Sequence, residues 1–211
     1  MQKLFTILFA FILLTARSTQ AQVTIKTESF DGATFTPTGW VLYPATTASQ
    51  AVWTRRTGGV APLGSLTPHS GTGMASYRSS STGTAIGTQQ AMITPAFDLS
   101  NRSTNSAGIR FWMFRDSNLL ANVDSIEVLI NTTADTVNAT KIGTVARNRF
   151  LNIPDTQYIN RWAQYSFSFP ASYTGATNYV IIRGTCRGGV RIYVDDVEWD
   201  TYPHQCTGTP N

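Results

Sequence analysis

The residues of this sequence that are best suited to chemistry are acidic side chains at two distant places. Glu28 and Asp31 stand at the end of the first apolar stretch of the chain, and Asp195-Asp196 stand within the last one. If the first and last strands are neighbours, these carboxylates converge. Carboxylates and turn carbonyls are the oxygen ligands that Ca²⁺ takes in proteins. The sequence therefore predicts a structural calcium site formed by Glu28, Asp31, Asp195 and Asp196.

The alternation of inward- and outward-facing residues around Asp196 bears on this calcium prediction, and it leaves two interpretations of Asp196 open. If Val194 points into the core, the period of two places Asp196 on the same side, where a lone carboxylate is costly. A bound metal ion would remove that cost. Alternatively, Asp196 caps a turn or pairs with an arginine such as Arg110 or Arg183.

The residue types needed for nucleophilic catalysis are scarce. The chain has two histidines: His69 lies in a turn-like Pro-His-Ser-Gly segment, and His204 lies near the C-terminus. A catalytic triad needs a histidine held between a carboxylate and a serine, and the sequence contains no nucleophile-elbow, zinc, P-loop or dinucleotide motif. A carboxylate pair for glycoside hydrolysis is defined by its spacing in three dimensions and has no sequence motif, so it stays open at this point. We predict that the chain is not an enzyme.

Aromatic and basic residues are the remaining candidates for binding. Most of the five tryptophans are expected in the core, although such rings can also stack on sugars. Trp53 and Arg55 lead into a glycine-rich stretch, so we predict these two residues as ligand contacts. The basic residues form no continuous stripe, and loss of an N-terminal signal would lower the net charge from +4 to +2 by removing Lys3 and Arg17. Nucleic acid is therefore not expected as a partner.

The elements that must position these residues are strands. Apolar and polar residues alternate with a period of two over much of the chain, for example at 109–114, 125–130, 165–169 and 179–183, and turn residues separate the runs. About eleven such runs, with long loops at 60–70 and 147–161, predict an all-β fold. Two antiparallel sheets packed face to face, a β-sandwich, would bury the apolar face of each run.

The N-terminal residues and the two cysteines indicate the cellular compartment in which the protein works. Residues 1–21 read as a signal peptide, with a charged start, an apolar run too short to span a bilayer and a small residue before the cleavage point. We expect one domain over 22–201 and a linker, or the start of a following module, over 202–211. Cys186 and Cys206 can pair in an oxidising compartment. Alternatively, Cys186 is a buried thiol and Cys206 pairs beyond this chain.

Several short motifs, in their order along the chain, resemble one known family. They include Glu28-Ser29-Phe30-Asp31 with Gly39-Trp40, Ile93–Ser100, Phe111–Asp116, Asp124–Val128 and Ile192–Val197. Together they resemble the cleaved-adhesin, or choice-of-anchor J, domains of secreted Bacteroidetes proteins. The resemblance implies a jelly-roll sandwich with a calcium site near Glu28 and Asp195-Asp196.

The resemblance also implies a function. We expect a non-catalytic adhesion or ligand-binding module of a secreted or cell-surface protein, monomeric and without a membrane span, whose partner is a glycan or an extracellular protein. The alternative is an accessory domain of a secreted hydrolase or peptidase whose catalytic domain lies outside this chain.

Overall fold

The computed structural model describes residues 23–47, 51–61, 63–79, 86–115, 122–147 and 160–202. These residues form eleven strands, so the predicted all-β class is confirmed. The predicted signal peptide, the linker beyond Tyr202, and Cys206 lie outside the described residues, as does most of the predicted loop over 147–161. No helix that could cross a membrane occurs among the segments that the structure describes.

The strands form two antiparallel sheets that pack as a jelly-roll sandwich, as predicted. The first sheet has the order β3-β4-β11-β6-β9, with β1 also paired to β11. Its strands are β1 (Thr24–Glu28), β3 (Trp53–Arg56), β4 (Met74–Tyr77), β6 (Gly108–Arg115), β9 (Arg161–Ser168) and β11 (Ile192–Thr201). The second sheet has the order β2-β5-β10-β7-β8. Its strands are β2 (Val41–Tyr43), β5 (Gln89–Ile93), β7 (Ser125–Asn131), β8 (Thr140–Ala146) and β10 (Tyr179–Thr185).

The main core lies between the two sheets and is formed by the alternating residues that the sequence pattern identified. Phe111 and Met113 of β6 face Val128 and Ile130 of β7 across this layer, and all four are fully buried. Aromatic residues close one side, where the Trp40 ring packs edge-on against both Phe30 and Trp199 with centroids 5.8 Å apart in each case. Burial of these large side chains is the main source of the domain's stability.

A smaller apolar cluster lies on the outer face of the first sheet. Leu66, from the loop that follows β3, packs with Met74, Phe114 and Tyr193. The Tyr193 hydroxyl accepts a hydrogen bond from the Val60 amide at 2.9 Å. The predicted long loop over 60–70 therefore folds over the sheet, and this brings His69 and the residues after it to the centre of β11.

Candidate functional site

The candidate site lies where one edge of β11 changes its partner strand. β4 pairs with residues 192–194 of β11, and β1 pairs with residues 197–201. Asp195 and Asp196 fall between these two pairings. On its other edge, β11 shifts its register by one residue against β6 at the same position. A β-bulge of this kind leaves a residue out of the ladder and changes the direction of the side chains that follow.

The bulge corrects the prediction for Asp196. Val194 points into the core, but so do Val197 and Trp199, because the extra residue inverts the alternation. Asp196 takes a left-handed φ of 45° and is partly exposed. Of these two neighbouring aspartates, it is Asp195 that has no exposed surface. The expectation that Asp196 points inward with Val194 is therefore wrong. The arginine partners suggested for it are also engaged elsewhere, Arg110 with Glu198 and Arg183 with Glu127.

The carboxylates of β11 hold the end of the loop that precedes β4. Asp195 accepts hydrogen bonds from the amides of His69 at 2.9 Å, Ser70 at 3.3 Å and Asp196 at 2.9 Å. Asp196 contacts His69 Nδ1 at 2.5 Å and accepts a bond from Ser70 Oγ at 2.6 Å. These bonds fix the backbone of the loop onto the strand.

Asp31 holds the same loop from its other end. Its carboxylate accepts bonds from the amides of Thr72 and Gly73. Gly71 takes a φ of 57°, and a Cβ at this position would overlap the Asp31 carboxylate. The loop over 69–73 therefore connects the two acidic pairs, and it needs glycine at 71 for both the backbone conformation and the close approach.

Serine, histidine and aspartate meet in this loop, but not in the order that catalysis requires. In a triad the serine hydroxyl bonds to the imidazole, and the imidazole bonds to the carboxylate. Ser70 Oγ donates instead to the carboxylate of Asp196, which also takes His69 Nδ1. The His69 ring stacks on Trp112 with centroids 3.9 Å apart, and it meets the Trp162 ring in an edge-type contact with centroids 5.8 Å apart. This arrangement anchors the loop to β6 and β9.

Burial sets the charge of the acidic side chains. Burial, with the nearby Asp196 carboxylate adding to it, raises the pKa of Asp195 to about 7. Burial also raises the pKa of Glu28, with a contribution from Asp31. The pKa of Asp31 is lowered, mainly by the hydrogen bond from the Thr72 amide. Of these three carboxylates, Asp195 is therefore the one that a bound proton or cation would stabilise most.

Arg55 supplies the positive charge beside Glu28 and Asp31. Its guanidinium donates to the carbonyl oxygens of Phe30 at 2.7 Å, Asp31 at 3.1 Å and Thr72 at 3.3 Å. Phe30 has a left-handed φ of 57°, which places its ring in the core while its carbonyl faces Arg55. Three carbonyls hold one planar guanidinium in a fixed orientation, as its fork of donors allows.

A pocket of about 430 Å³ opens between Glu28 and Arg55. Its wall is the segment that links β1 to β2, from Gly32 to Thr38, which contributes the Thr34, Phe35 and Thr36 side chains. The size falls in the range of small-molecule binding sites, which is about 300–1,000 Å³. Sequence reasoning identified Glu28 and Arg55 but missed the wall. The segment has no periodicity, and turn residues at its two ends were its only signal.

Trp53 has a different role from the one predicted. Its ring is 2% exposed, and its Nε1 donates to the Gln90 carbonyl at 2.8 Å. The backbone amide of Trp53 also donates to the Gln90 side chain. Trp53 therefore belongs to the core and offers no face to a ligand, whereas its neighbour Arg55 lines the pocket.

The residues predicted to bind calcium lie in two pairs rather than in one cluster. Among the described residues, no three His, Cys, Asp or Glu side chains are close enough to share one ion. The donor chemistry fits Ca²⁺, because buried Asp195 has a second carboxylate beside it and no Arg or Lys partner among the ion pairs of the described segments. The carbonyls of Phe30, Asp31 and Thr72, which could complete a coordination shell, are bound to Arg55.

Comparison with known proteins identifies the fold. The K1 cleaved adhesin domain of Lys-gingipain from Porphyromonas gingivalis superimposes with a TM-score of 0.58 at 20% sequence identity, covering 85% of this chain and 99% of that domain. The K3 and K2 domains of the same protein give TM-scores of 0.58 and 0.55 at 16% and 17% identity, covering 85% and 83% of this chain and 99% of each domain. The chain has the fold of a cleaved adhesin domain. The resemblance noted in the sequence is thus confirmed at the level of the fold.

Sequence comparison adds no closer relative. No protein-family model matches the chain, and no curated protein sequence matches it significantly. The cleaved-adhesin fold is therefore visible in the arrangement of the strands and not in the sequence alone.

Proposed function

We propose that this chain is a non-catalytic binding module of a secreted or cell-surface protein, which holds a polyhydroxylated ligand such as a glycan residue in the pocket between Glu28 and Arg55. The observation that carries the proposal is the pocket itself, whose lining includes the acidic Glu28 and the basic Arg55. Carboxylate, guanidinium and threonine hydroxyl groups together offer both donors and acceptors. Sugar hydroxyl groups need both.

The rigidity of Arg55 supports a binding role. Its Nε and Nη2 atoms are fixed by three carbonyls, so the side chain loses little freedom when a ligand arrives. Phe35 is half-buried beside Phe30, with ring centroids 6.3 Å apart, and gives the pocket an apolar surface. A pocket with one apolar wall and a few fixed polar groups is the usual form of a small-ligand site.

A non-catalytic role agrees with the state of the candidate catalytic groups. His69 is stacked on Trp112 and bound to Asp196, and Ser70 donates to the same carboxylate. Both side chains hold the loop before β4. A role as the accessory domain of a larger hydrolase or peptidase remains the alternative, and it would use the same binding pocket.

The test is glycan-array binding with a pocket-blocking variant. Gly32 lines the pocket, and a Cβ there meets no atom within 4 Å, so Gly32→Trp should fill the pocket without disturbing the fold. Gly64→Trp is the matched control, because Gly64 also has open space but lies in the loop between β3 and β4. We expect Gly32→Trp to lose glycan binding and Gly64→Trp to keep it. Equal binding by both variants, or binding only to extracellular proteins, would reject the glycan assignment.

We also propose that a calcium ion stabilises the module at Asp195 and Asp196, while Glu28 and Asp31 form a separate pair of carboxylates. Calcium at about 100 times its dissociation constant contributes roughly 2.7 kcal/mol, which raises the melting temperature of a domain of this size by roughly 5–10 °C. We expect this shift in calcium relative to chelator, and its loss in Asp195→Asn. A chain that shows no shift and contains no metal by elemental analysis would contradict the proposal.

A further inference from the structure

Three arginines lie together on the outer face of the first sheet, apart from the pocket. Arg56 ends β3, Arg78 follows β4, and Arg191 precedes β11. The register places Arg56 opposite Met74 and Ile192 opposite Tyr77, so Arg191 and Arg78 lie side by side one residue further along. The positive charges of Arg56 and Arg78, together with burial as the largest cause, lower the pKa of Arg191.

Among the residues that the structure describes, these arginines form no ion pair with a carboxylate. In the segments that the structure describes, the ion pairs involve other basic side chains, and no carboxylate lies within ion-pair distance of Arg56, Arg78 or Arg191. The positive charges of Arg56 and Arg78 both act on Arg191. A shared anion is the simplest way to offset that repulsion.

Unsatisfied polar atoms on the same face of β3, β4 and the start of β11 indicate where an anion would bind. Arg56 Nε, Arg191 Nη1 and Ser76 Oγ are buried and have no hydrogen-bond partner among the described residues. Ser76 has no exposed surface. It pairs with Thr54 of β3 and Tyr193 of β11, between the positions of Arg56 and Arg78 along the sheet. Buried donors are rarely left unpaired, so three on one face call for a specific acceptor.

We propose that Arg56, Arg78, Arg191 and Ser76 form an oxyanion site that binds a sulfate or carboxylate group carried by an extracellular glycan. Guanidinium groups bind such oxyanions through paired, charge-assisted hydrogen bonds, and the Ser76 hydroxyl supplies one more donor. The site lies on the sheet face, whereas the pocket between Glu28 and Arg55 lies at the end of β1. Binding at one does not depend on binding at the other.

The test is calorimetric titration of the full chain with three probes: inorganic sulfate, a heparin-derived octasaccharide and an oligogalacturonate. We expect saturable binding that falls at least tenfold in Arg191→Gln and in Arg56→Gln. Lys26→Gln is the matched control, because Lys26 is an exposed cation on β1 of the same sheet and its loss should leave the affinity unchanged.

Two further variants separate binding from folding. Ser76→Ala removes an unpaired hydroxyl, so it should weaken anion binding without lowering the melting temperature. Arg191→Lys keeps the charge but loses the planar fork, so it should bind less tightly than the parent chain. Tighter binding of the octasaccharide or the oligogalacturonate than of sulfate, with both lost in Arg191→Gln, supports a glycan-borne group.

Two other titration results would overturn the proposed oxyanion site. Sulfate binding as tight as that of either oligosaccharide would show a site for free anions and reject the glycan source. The absence of saturable binding by all three probes, or binding that Arg191→Gln and Lys26→Gln reduce equally, would show that no specific oxyanion site exists. The Gly32→Trp variant tests only the pocket between Glu28 and Arg55. Its loss of neutral-glycan binding would therefore not change the conclusion on the arginine site.

Discussion

Replacement of Asp124 by alanine should destabilise the domain strongly, because Asp124 joins four groups at the end of the sandwich opposite the β1 strand. Asp124 and Arg147 form an ion pair in which neither side chain has exposed surface, with Oδ2 and Nε 3.3 Å apart. Oδ1 accepts further bonds from Ser79 Oγ at 2.7 Å, the Arg187 amide at 2.6 Å and the Gly189 amide at 3.3 Å. The sequence contains no local sign of this cluster, whose members come from distant parts of the chain.

The magnitude follows from the loss of a buried partner. Breaking a buried ion pair by removing one side chain costs roughly 3–5 kcal/mol, since the remaining charge stays buried. At about 2–4 °C per kcal/mol for a domain of this size, the melting temperature should fall by roughly 6–20 °C. Asp124→Asn keeps one oxygen to accept from the Arg187 amide and should lose less than Asp124→Ala.

The assay is urea unfolding followed by tryptophan fluorescence, with thermal unfolding by circular dichroism as a second measurement. The midpoint should shift while the denaturant slope stays constant, which marks a change in stability rather than in the surface exposed on unfolding. A loss below about 1 kcal/mol for Asp124→Ala, on the scale of an exposed salt bridge, would refute the reasoning.

Three further predictions concern the site and its supports. Burial raises the pKa of Asp195 to about 7 in the folded state, against 3.8 for an unperturbed aspartate. The folded state therefore binds more protons between these two pH values, and the free energy of unfolding in chelator should fall by up to about 4 kcal/mol as pH rises from about 4 to about 7. Melting curves of the parent and of Asp195→Asn should diverge over this range, and parallel curves would exclude the linkage. Gly71→Ala should loosen the loop over 69–73, seen as faster amide exchange at Thr72 and Gly73, because a Cβ overlaps the Asp31 carboxylate; unchanged exchange would contradict this. Tyr202→Phe should cost about 1 kcal/mol in urea unfolding, because its hydroxyl donates to the Ser106 carbonyl at 2.8 Å, and no loss would show that water replaces the bond.

The strands could be predicted from the sequence because their pattern is local. In β6, Ile109, Phe111 and Met113 alternate with polar or half-buried residues, and all three are buried as expected. In a two-sheet sandwich a strand needs one apolar face, so a period of two identifies both the strand and its buried side.

The details of the site could not be predicted in the same way. The bulge at Asp195-Asp196 inverts the alternation by one residue, and nothing in a pattern of period two marks where such a residue is inserted. The pocket wall is an aperiodic segment. The electrostatic effect of Arg56 on Arg191 depends on which strands pair across the sheet. Residue types indicated which groups could bind, but the long-range pairing of strands decides which of them meet.

The most direct test of the account is an amide-shift titration of the full chain by NMR, with neutral and charged oligosaccharides in calcium. A glycan that binds in the proposed pocket should shift the amide signals of residues 28–36, Thr38 and Arg55. Gly32→Trp should abolish those shifts, while Gly64→Trp keeps them. Shifts confined to other surfaces, or shifts that persist in Gly32→Trp, would contradict the assignment of the pocket as the binding site.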